Sequence, residues 1–492
     1  MSQINISHLT FAYDGSYDNV FEDLSLQLDT EWRLGLVGRN GRGKTTLLRL
    51  LMGQYEYRGG ILCPAECRYF PVEVRGDGLP ALEAARQAEP ELEQWRLERD
   101  LNELRLDPGV LERPWGTLSS GERTKILLAA LFQQEGSFPL IDEPTNHLDA
   151  EGRRAAAQYL RRQRGFILVS HDRAFLDGCV THILAVNRAG VEVQQGNFSS
   201  WWENRRRQDA FEQAENERLQ SDVRRLSEAA RRAGGWSDKV EKSKKGQRIA
   251  GLRPDRGAIG HKAAKMMKRA KAIEARREDA AEQARSLLKN VEQADTLKLS
   301  PQRWRQNRLL EARDVALYYN GRRVCGNLSF ELAQGERIAV RGPNGSGKST
   351  LLRLCLGQGI EHTGRFECGQ GMVISYVPQD AGFLRGSLRD FAVQNNVDES
   401  LFKALLRKLG FERTQLEKDM QSLSAGQRKK VLLARSLCEK AHLYIWDEPL
   451  NYIDVFSRMQ LEQLLLEHKP TLLFVEHDAA FCEKVATGSI EL

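Results

Sequence analysis

Short apolar runs alternate along the chain with stretches in which apolar residues recur every three or four positions. The runs at 166–169 and 471–475 are almost wholly apolar, which is the pattern of strands buried on both faces of a sheet. Similar runs at 33–37 and 337–340 lead through glycines into helical patterns such as that of 47–51. This alternation predicts an α/β fold whose sheets are largely parallel.

The same landmarks occur twice along the chain in one order. A Gly-x-x-x-x-Gly-Lys-Thr/Ser motif stands at 38–45 and again at 342–349. The segments at 118–122, 141–144 and 171–172 return after a nearly constant separation of about 305 residues. Such a repeat predicts two domains of one fold, a first domain over 1–202 and a second domain over 301–492.

The segment between the two domains, predicted over 203–300 and called the linker below, follows another pattern. Apolar residues at 219, 223, 226 and 230, and again at 263, 266, 267, 270 and 273, have the spacing of a helical seam. Glycines and a proline interrupt the pattern between 234 and 260, which predicts an antiparallel helical hairpin with a loop there. Arms of about 30 residues would be about 45 Å long.

Positive charge is concentrated in the linker. Residues 231–277 contain 16 Lys and Arg against 4 Asp and Glu, so this stretch has a net charge of +12 in a chain whose total is +6. The rest of the chain is therefore acidic. A basic segment attached to an acidic body favours a polyanionic partner at that segment.

The composition is typical of a protein of the cytoplasm. No apolar run approaches the ~18 residues that a membrane helix needs, and the N-terminus lacks the apolar stretch of a signal peptide. The eight cysteines are scattered and do not have the spacing of zinc ligands. We therefore expect no membrane segment and structural thiols in a reducing compartment.

Each Gly-x-x-x-x-Gly-Lys-Thr/Ser motif follows a strand pattern and precedes a helix pattern, the context of a loop that binds nucleotide phosphates. Its glycines let backbone N–H groups curl around a phosphate, its lysine adds positive charge, and Thr45 or Ser349 supplies an oxygen for Mg²⁺. The predicted ATP-binding residues of these loops are Gly38, Arg39, Asn40, Gly41, Arg42, Gly43, Lys44, Thr45 and Thr46 in the first domain, and Gly342, Pro343, Asn344, Gly345, Ser346, Gly347, Lys348, Ser349 and Thr350 in the second.

An Asp-Glu pair ends an apolar run in each domain. Alone, such a pair is usually a solvated turn, but here it follows a phosphate loop and precedes His171 or His477. The order predicts that Asp142 and Asp447 hold Mg²⁺. Glu143 and Glu448 then polarise the attacking water, with the two histidines beside them as catalytic residues.

These motifs together resemble the ABC (ATP-binding cassette) ATPase superfamily over nearly the whole chain. The resemblance implies a head-to-tail pairing of the domains within one monomer, so that the signature segment of each domain completes the ATP site of the other. The implied signature residues are Ser119, Ser120 and Gly121, and Ser424, Ala425 and Gly426; Tyr13 and Tyr319 fall where the family stacks an aromatic ring on adenine.

The two repeats depart from the family pattern in different ways. The second domain has the expected glutamine, Gln379, where the first has Val72. The second domain also has Tyr452 where the usual pattern has a histidine, as His147 in the first domain. We therefore expect two unequal ATP sites.

Three classes of ABC protein compete: an ATPase subunit of a transporter, a DNA-repair ATPase with a very long coiled coil, and a translation factor of the ABC-F kind. Two fused domains and one linker of this length resemble only the third. The linker segments 236–242, 255–257 and 260–269, and the segment 448–454, are similar to those of the Lsa family of antibiotic-resistance ABC-F proteins.

That resemblance implies ribosomal protection. With ATP bound, the protein would enter the ribosomal exit (E) site beside the P-site tRNA and displace lincosamide, streptogramin A or pleuromutilin drugs from the peptidyl-transferase centre. The alternative is a housekeeping or stress translation factor without a resistance role, and a transporter ATPase is the weaker third choice. Basic residues and a tryptophan around the linker loop are the candidate rRNA contacts, since rRNA is a polyanion: Trp236, Lys239, Lys242, Lys244, Lys245, Arg248, Arg253 and Arg256.

Overall fold

The computed structural model confirms the predicted α/β fold and its repetition in two tandem domains. It describes residues 2–15, 19–134, 136–187, 190–212, 214, 215, 218, 221, 299–319, 321–343 and 345–492. The predicted hairpin seam, the linker loop with all eight candidate rRNA contacts, and Asn344 lie outside these residues. The predicted domain boundaries stay a prediction.

The first domain alternates strands and helices as its apolar pattern predicts. Its strands are β1 (Gln3–Phe11), β2 (Phe21–Asp29), β3 (Arg33–Gly38), β4 (Arg58–Leu62), β5 (Glu66–Phe70), β6 (Ser137–Asp142), β7 (Phe166–Val169), β8 (His182–Asn187) and β9 (Gly190–Gln195). Its helices are α1 (Lys44–Leu51), α2 (Ala81–Ala88), α3 (Gln94–Glu103), α4 (Ser120–Leu131), α5 (Ala150–Arg162) and α6 (Arg173–Cys179), and residues 198–212 are also helical.

The second domain repeats the scheme. Its strands are β10 (Arg308–Tyr319), β11 (Arg322–Ala333), β12 (Arg337–Arg341), β13 (His362–Cys368), β14 (Ile374–Val377), β15 (Leu443–Asp447), β16 (Leu472–Val475) and β17 (Gly488–Glu491). Its helices are α7 (Lys348–Cys355), α8 (Leu388–Gln394), α9 (Glu399–Lys408), α10 (Ala425–Cys438), α11 (Val455–His468) and α12 (Ala479–Val485).

A mainly parallel sheet forms the centre of each domain. The strand order is β5-β6-β7-β3-β8-β9 in the first domain and β14-β15-β16-β12-β17 in the second, and every pairing is parallel except that of β8 with β9. All four residues of β7 and of β16 are buried, as continuous apolar runs predict. The carboxyl ends of β3 and β6, where the predicted site residues lie, therefore meet at one edge of the sheet.

A second, antiparallel sheet of three strands accompanies each central sheet. Its order is β2-β1-β4 in the first domain and β11-β10-β13 in the second. One compact unit consists of Met1–Trp201 together with Ala294–Leu492 and so contains both domains, and within it α6 packs on α12 and β3 on α11. None of the helices described is long and apolar enough to cross a membrane.

Candidate nucleotide sites at the domain interface

Two glycines in each phosphate loop have backbone angles that favour glycine. Gly41 and Gly43 have φ values of 83° and 90°, and Gly345 and Gly347 have 82° and 98°. Only glycine adopts this left-handed region without strain, and the resulting turn aims successive N–H groups to one side. Helix α1 or α7 begins directly after the loop, so its free N–H groups add to the same anion-binding geometry.

The loop lysines lie buried inside these turns. Nζ of Lys44 donates to the carbonyl oxygen of Gly38 at 2.8 Å, and Nζ of Lys348 donates to those of Gly342 and Pro343 at 2.9 Å each. Burial lowers the pKa of both lysines from the ordinary value. A buried cation held by carbonyls instead of a carboxylate is arranged to meet an anion, as a triphosphate requires.

A hydroxyl and a carboxylate meet beside each lysine. Oγ1 of Thr45 donates to Oδ2 of Asp142 at 2.9 Å, and the Ser349 hydroxyl bonds to Asp447 in the same way. One carboxylate oxygen of Asp447 is buried without a hydrogen-bond partner. Hard oxygen donors of this kind are the ligands that Mg²⁺ prefers, so the residues present fit the ion.

The glutamate that follows each of these aspartates is held in an unusual backbone conformation. Glu143 and Glu448 have φ values of 51° and 45°, in the left-handed region that few residues other than glycine adopt. Neighbouring residues of a regular strand point to opposite faces. The left-handed turn ends the strand and lets the aspartate and the glutamate face the same loop.

The two glutamates have different surroundings. Glu448 accepts hydrogen bonds from Nε2 of Gln379 at 2.9 Å and from the Asn451 amide, and Nε2 of His477 lies 3.5 Å from its Oε1. Burial alone would raise the pKa of Glu448, but these bonds, first that of His477, more than offset burial and hold the pKa below its usual value.

Glu143 has no such support from hydrogen bonds. Nε2 of His171 lies 3.2 Å from its Oε1, yet neither carboxylate oxygen has a partner of good hydrogen-bond geometry. Burial, and then the charge of Asp142, raise the pKa of Glu143 to about 8. Burial, and then the charge of Lys44, hold the pKa of His171 well below its usual value. The predicted inequality of the two sites therefore has a counterpart in their electrostatics.

A cleft at Lys348 is lined by both domains. It has a volume of about 560 Å³. Its walls bring the phosphate loop and the predicted catalytic residues of the second domain to the predicted signature segment of the first: Ser119, Ser120, Gly121, Tyr319, Gly345, Gly347, Lys348, Ser349, Thr350, Gln379, Glu448 and His477. The side chain of Tyr319 is 51% exposed, as an aromatic platform for a base needs to be.

The two domains touch directly at the other predicted site, around Lys44. Nδ2 of Asn40 donates to the carbonyl oxygen of Tyr452 at 2.9 Å, and a Cβ on Gly426 would lie 3.2 Å from the same amide. The Arg39 guanidinium lies 5.8 Å from the centre of the Phe456 ring. The phosphate loop of the first domain therefore contacts the signature segment and the helix α11 region of the second.

The signature serines themselves act as helix caps. Oγ of Ser119 accepts from the backbone N–H of Glu122, and Oγ of Ser424 from that of Gln427, each at 3.2 Å. These caps fix the N-termini of α4 and α10, whose partial positive charge favours anions. Ser120 and Ala425 are the first residues of these helices.

Tyr13 occupies a position comparable to that of Tyr319 on the first domain. Its side chain is 44% exposed, and its hydroxyl forms a 2.6 Å hydrogen bond with Oγ1 of Thr46. Its ring makes edge contacts with Phe11 and Tyr55. The remaining loop residues are placed by local bonds: the N–H of Arg42 donates to Arg39, while Oγ of Ser346 is buried without a partner.

Three residues near the predicted chemistry were not found from the sequence. The Tyr69 hydroxyl donates to Oδ2 of Asp142 at 3.0 Å, and Nζ of Lys429 donates to the carbonyl oxygens of Pro378 and Asp447 at 2.7 and 3.0 Å. Asp454 is fully buried and pairs with Lys430. Tyr69 stands two residues before Pro71, as Tyr376 does before Pro378, and this repeat was a usable signal for Tyr69, whereas nothing local marks a lysine that bonds to distant carbonyls.

Comparison with known proteins gives matches along most of the chain. The model of the family described as "ABC transporter" matches residues 21–146 and 325–451, which together exceed half of the chain. The chain is 29% identical to the ribosome protection protein VmlR of Bacillus subtilis, covering 97% of this chain and 85% of that protein. It is 28% identical to the energy-dependent translational throttle protein EttA of Haemophilus influenzae, covering 96% and 89%.

Among solved structures, the fold is similar to that of an archaeal ribosome recycling factor, aABCE1, in complex with the ribosomal stalk protein aP1. The TM-score is 0.61 at 20% sequence identity, covering 96% of this chain and 84% of that one. At this identity the likeness shows that the fold is shared.

Proposed function

The chain belongs to the ABC transporter family of ATPases, and from that premise we propose that it is an ATP-driven ribosomal protection factor of the ABC-F type. The observation that supports this proposal is the match to the ribosome protection protein VmlR, which extends over 97% of the chain and so includes the linker. The proposed partner is the ribosome, and the proposed site is the E site, from which the linker reaches towards the peptidyl-transferase centre.

We propose two composite ATP sites. At each one the phosphate loop of one domain binds the triphosphate, and the signature helix of the other domain closes over its far end. Thr45 with Asp142, and Ser349 with Asp447, would hold Mg²⁺, which neutralises phosphate charge when bound. Neither domain supplies a whole site, so bound ATP favours the closed pair of domains.

The carboxylate of Glu448 is placed to orient the attacking water. Gln379 and Asn451 hold one of its oxygens, Oε2, which leaves Oε1, on the side of His477, for a water molecule. A positioned general base of this kind typically contributes 10²–10⁴ in rate. Glu143 has the equivalent position at the Lys44 site and acts with His171.

The drug classes that this function protects against are proposed to be lincosamides, streptogramins A and pleuromutilins. The test is to express the chain in a drug-sensitive bacterial host and to measure the minimum inhibitory concentration of each class, with a macrolide as the control drug. The proposal requires higher inhibitory concentrations for at least one of the three classes. A host with unchanged susceptibility and altered translation would favour a factor resembling EttA, the translational throttle protein.

A further inference from the structure

One buried ion pair crosses between the two domains. Nη2 of Arg173, the first residue of α6, donates to Oε2 of Glu462 in α11 at 2.6 Å. The two side chains are only 8% and 9% exposed. Lys484 of α12 reaches the other oxygen, Oε1, at 2.9 Å. The Glu462 carboxylate therefore joins a helix of the first domain to two helices of the second.

The internal repeat has no second copy of this ion pair. The residues that correspond to Arg173, Glu462 and Lys484 in the opposite domains are Ala479, Ala157 and Gly178. A Cβ on Gly178 would lie 3.2 Å from that of Ala157, so these two positions are neighbours, as Lys484 and Glu462 are. Small residues without charge occupy the equivalent positions. Of these two equivalent places at the domain interface, only the one at Glu462 therefore has this buried ion pair.

The ion pair connects elements that lead to the Lys44 site. Arg173 follows His171 by two residues, and His171 lies 3.2 Å from Glu143. Glu462 lies in α11, whose N-terminal cap is Asp454, and two residues before this cap the carbonyl oxygen of Tyr452 accepts from Nδ2 of Asn40 in the phosphate loop at 2.9 Å. A short helix is rigid over two turns, so a displacement at one end of α11 is transmitted to the other.

Separation of the two charges is costly because both are nearly out of water. An unpaired buried charge destabilises a protein far more than an exposed one, so Arg173 and Glu462 move together. Movement of α11 with the second domain therefore pulls on the N-terminus of α6, directly after the His171 segment. The corresponding segment at His477 continues into Ala479, which has no charge to be pulled.

We propose that the Arg173–Glu462 pair is a positioning element. It couples the Lys44 site, but not the Lys348 site, to the position of the second domain. Neither residue touches the reacting atoms; the pair acts by setting the position of His171 and Glu143. The inference rests on the proposed function only for the roles of those two residues.

The test measures each site alone. Glu448→Gln silences the Lys348 site and Glu143→Gln silences the Lys44 site, and Glu462→Gln is added to each background. With only the Lys44 site active, kcat should fall about ten- to hundredfold, as misplacement of catalytic groups does, while KM changes little. With only the Lys348 site active, kcat should stay within about twofold.

Two further variants separate coupling from loss of structure. Lys484→Met removes a cation from the same carboxylate without touching the link between domains, and it should leave kcat at both sites unchanged. The charge-exchanged pair Arg173→Glu with Glu462→Arg should recover most of the lost kcat at the Lys44 site. If Glu462→Gln fails to fold, Arg173→Lys, which keeps the charge but loses the planar guanidinium, replaces it in the same measurement.

Equal losses at the two sites, or a lowered melting temperature with an unchanged kcat, would overturn the coupling role. A different result, in which Glu143→Gln together with Glu448→Gln leaves ATP turnover intact, would instead contradict the proposed catalytic roles of these two glutamates. The two results are distinguishable because the second is measured before Glu462 is altered.

Two thiols lie close together where β4 leads into β5: Cys63 directly follows β4, and Cys67 is the second residue of β5. Sγ of Cys63 lies 3.6 Å from Sγ of Cys67, and it also donates to the carbonyl oxygen of Ala65 at 3.1 Å. Both cysteines are half-buried. The hydrogen bond from Cys67 lowers the pKa of Cys63 to about 6, and the same bond raises the pKa of Cys67, so Cys63 is the thiol that ionises first. A thiol that ionises readily beside a second thiol is a pair suited to thiol–disulfide exchange.

We infer that Cys63 and Cys67 form a reversible oxidation site whose oxidant is a small disulfide such as oxidised glutathione. The Cys63 thiolate attacks one sulfur of that disulfide and expels a glutathione thiolate, which leaves a mixed disulfide. Cys67 then loses its proton and attacks Sγ of Cys63, releasing the second glutathione as a thiolate. Two protein thiols are oxidised to one disulfide, and the glutathione disulfide is reduced to two thiols.

Trypsin reports on this site directly, because cleavage after Arg58 and Arg68 gives one peptide, 59–68, whose only cysteines are Cys63 and Cys67. After treatment with oxidised glutathione the peptide should be about 2 Da lighter and resist alkylation, and dithiothreitol should reverse both changes. In Cys67→Ser the same treatment should leave a stable glutathione adduct on Cys63. Full alkylation of both thiols after oxidation, or no adduct in that variant, would overturn the inference.

Discussion

Two glutamates, Glu143 and Glu448, are held in the left-handed backbone region, one at each of the two proposed ATP sites. A residue other than glycine held there typically costs about 1–3 kcal/mol, yet both domains retain the conformation. The strain persists because it turns a carboxylate towards the phosphate loop at the end of a buried strand. The difference between the two sites arises from what surrounds each carboxylate.

Replacement of both glutamates, Glu143→Gln with Glu448→Gln, should abolish ATP turnover while ATP stays bound. The amide keeps the size of the side chain but cannot accept a proton from the attacking water. The variant should therefore remain in the ATP-bound, closed form and co-sediment with 70S ribosomes. The measurements are phosphate release, retained nucleotide and a sedimentation assay, and wild-type turnover would remove both residues from this role.

The single variants should differ in their effect. Glu448 accepts hydrogen bonds from Gln379 and Asn451, whereas neither carboxylate oxygen of Glu143 has a hydrogen-bond partner among the described residues, and the first domain has Val72 at the position of Gln379. Glu448→Gln should therefore reduce steady-state turnover more than Glu143→Gln. The matched control is Gln379→Val, which gives the second domain the residue of the first and should bring the two sites closer together in rate. Equal losses in the single variants would contradict the idea.

Most of the site at this scale could be predicted from the sequence, because a phosphate loop is a local arrangement encoded by adjacent residues. The spacing of Gly41, Gly43 and Lys44 alone determines how the backbone turns. Contacts between distant residues could not be predicted. Arg173 and Glu462 are 289 residues apart, and nothing around either one marks it as half of an ion pair.

At the scale of elements, a helix cap and a buried ion pair together fix the N-terminus of α11. Asp454 accepts from the backbone N–H of Ser457 at 2.9 Å and pairs with Nζ of Lys430 at 2.6 Å. Burial alone would raise the pKa of Asp454, but the Lys430 charge more than offsets burial and holds the pKa below its usual range. Because the pKa is lowered in the folded state, this stabilisation is complete at neutral pH and is lost only on acidification.

Lys430→Met should therefore destabilise the folded protein at pH 7 by about 3–5 kcal/mol, since it leaves the Asp454 carboxylate buried and unpaired. The control is Glu151→Gln, which breaks an ion pair with Arg105 of similar length, 2.9 Å, in which both side chains are mostly exposed. That loss should stay below about 1 kcal/mol. Chemical denaturation gives the free energy of unfolding of each variant. Equal decreases in the two variants would show that the buried ion pair contributes no more to stability than the exposed one.

The sequence predicts the strands of the central sheets better than those of the antiparallel sheets. The strands of the central sheets were recognisable because burial on both faces requires unbroken apolar runs, as in β7 and β16. The antiparallel sheets were missed. Strand β4 has two glycines and an arginine among its five residues and is largely exposed, so no apolar alternation marks it.

At the scale of the whole molecule, charge and chemistry lie in different parts of the chain. The proposed ATP-site residues belong to two domains that lie in one compact unit, while residues 231–277 of the linker have a net charge of +12. In the proposed function, such a division separates ATP hydrolysis from the basic segment that favours a polyanionic partner. The two parts should therefore be separable by mutation.

Replacement of residues 236–256 by a short Gly-Ser turn should abolish drug protection and preserve basal ATP hydrolysis. The replaced segment contains Trp236 and seven basic residues, and phosphate contacts of lysine and arginine are individually weak but additive. Trp236 would add about 1–3 kcal/mol if it stacks on an exposed base. The measurements are inhibitory concentrations in the sensitive host and phosphate release by the purified protein. As a matched control, Trp236→Ala alone should reduce protection only in part. If the protein without the loop still raised the inhibitory concentration of a lincosamide or a pleuromutilin to the wild-type level, the linker loop would have no role, and another part of the chain would have to carry protection.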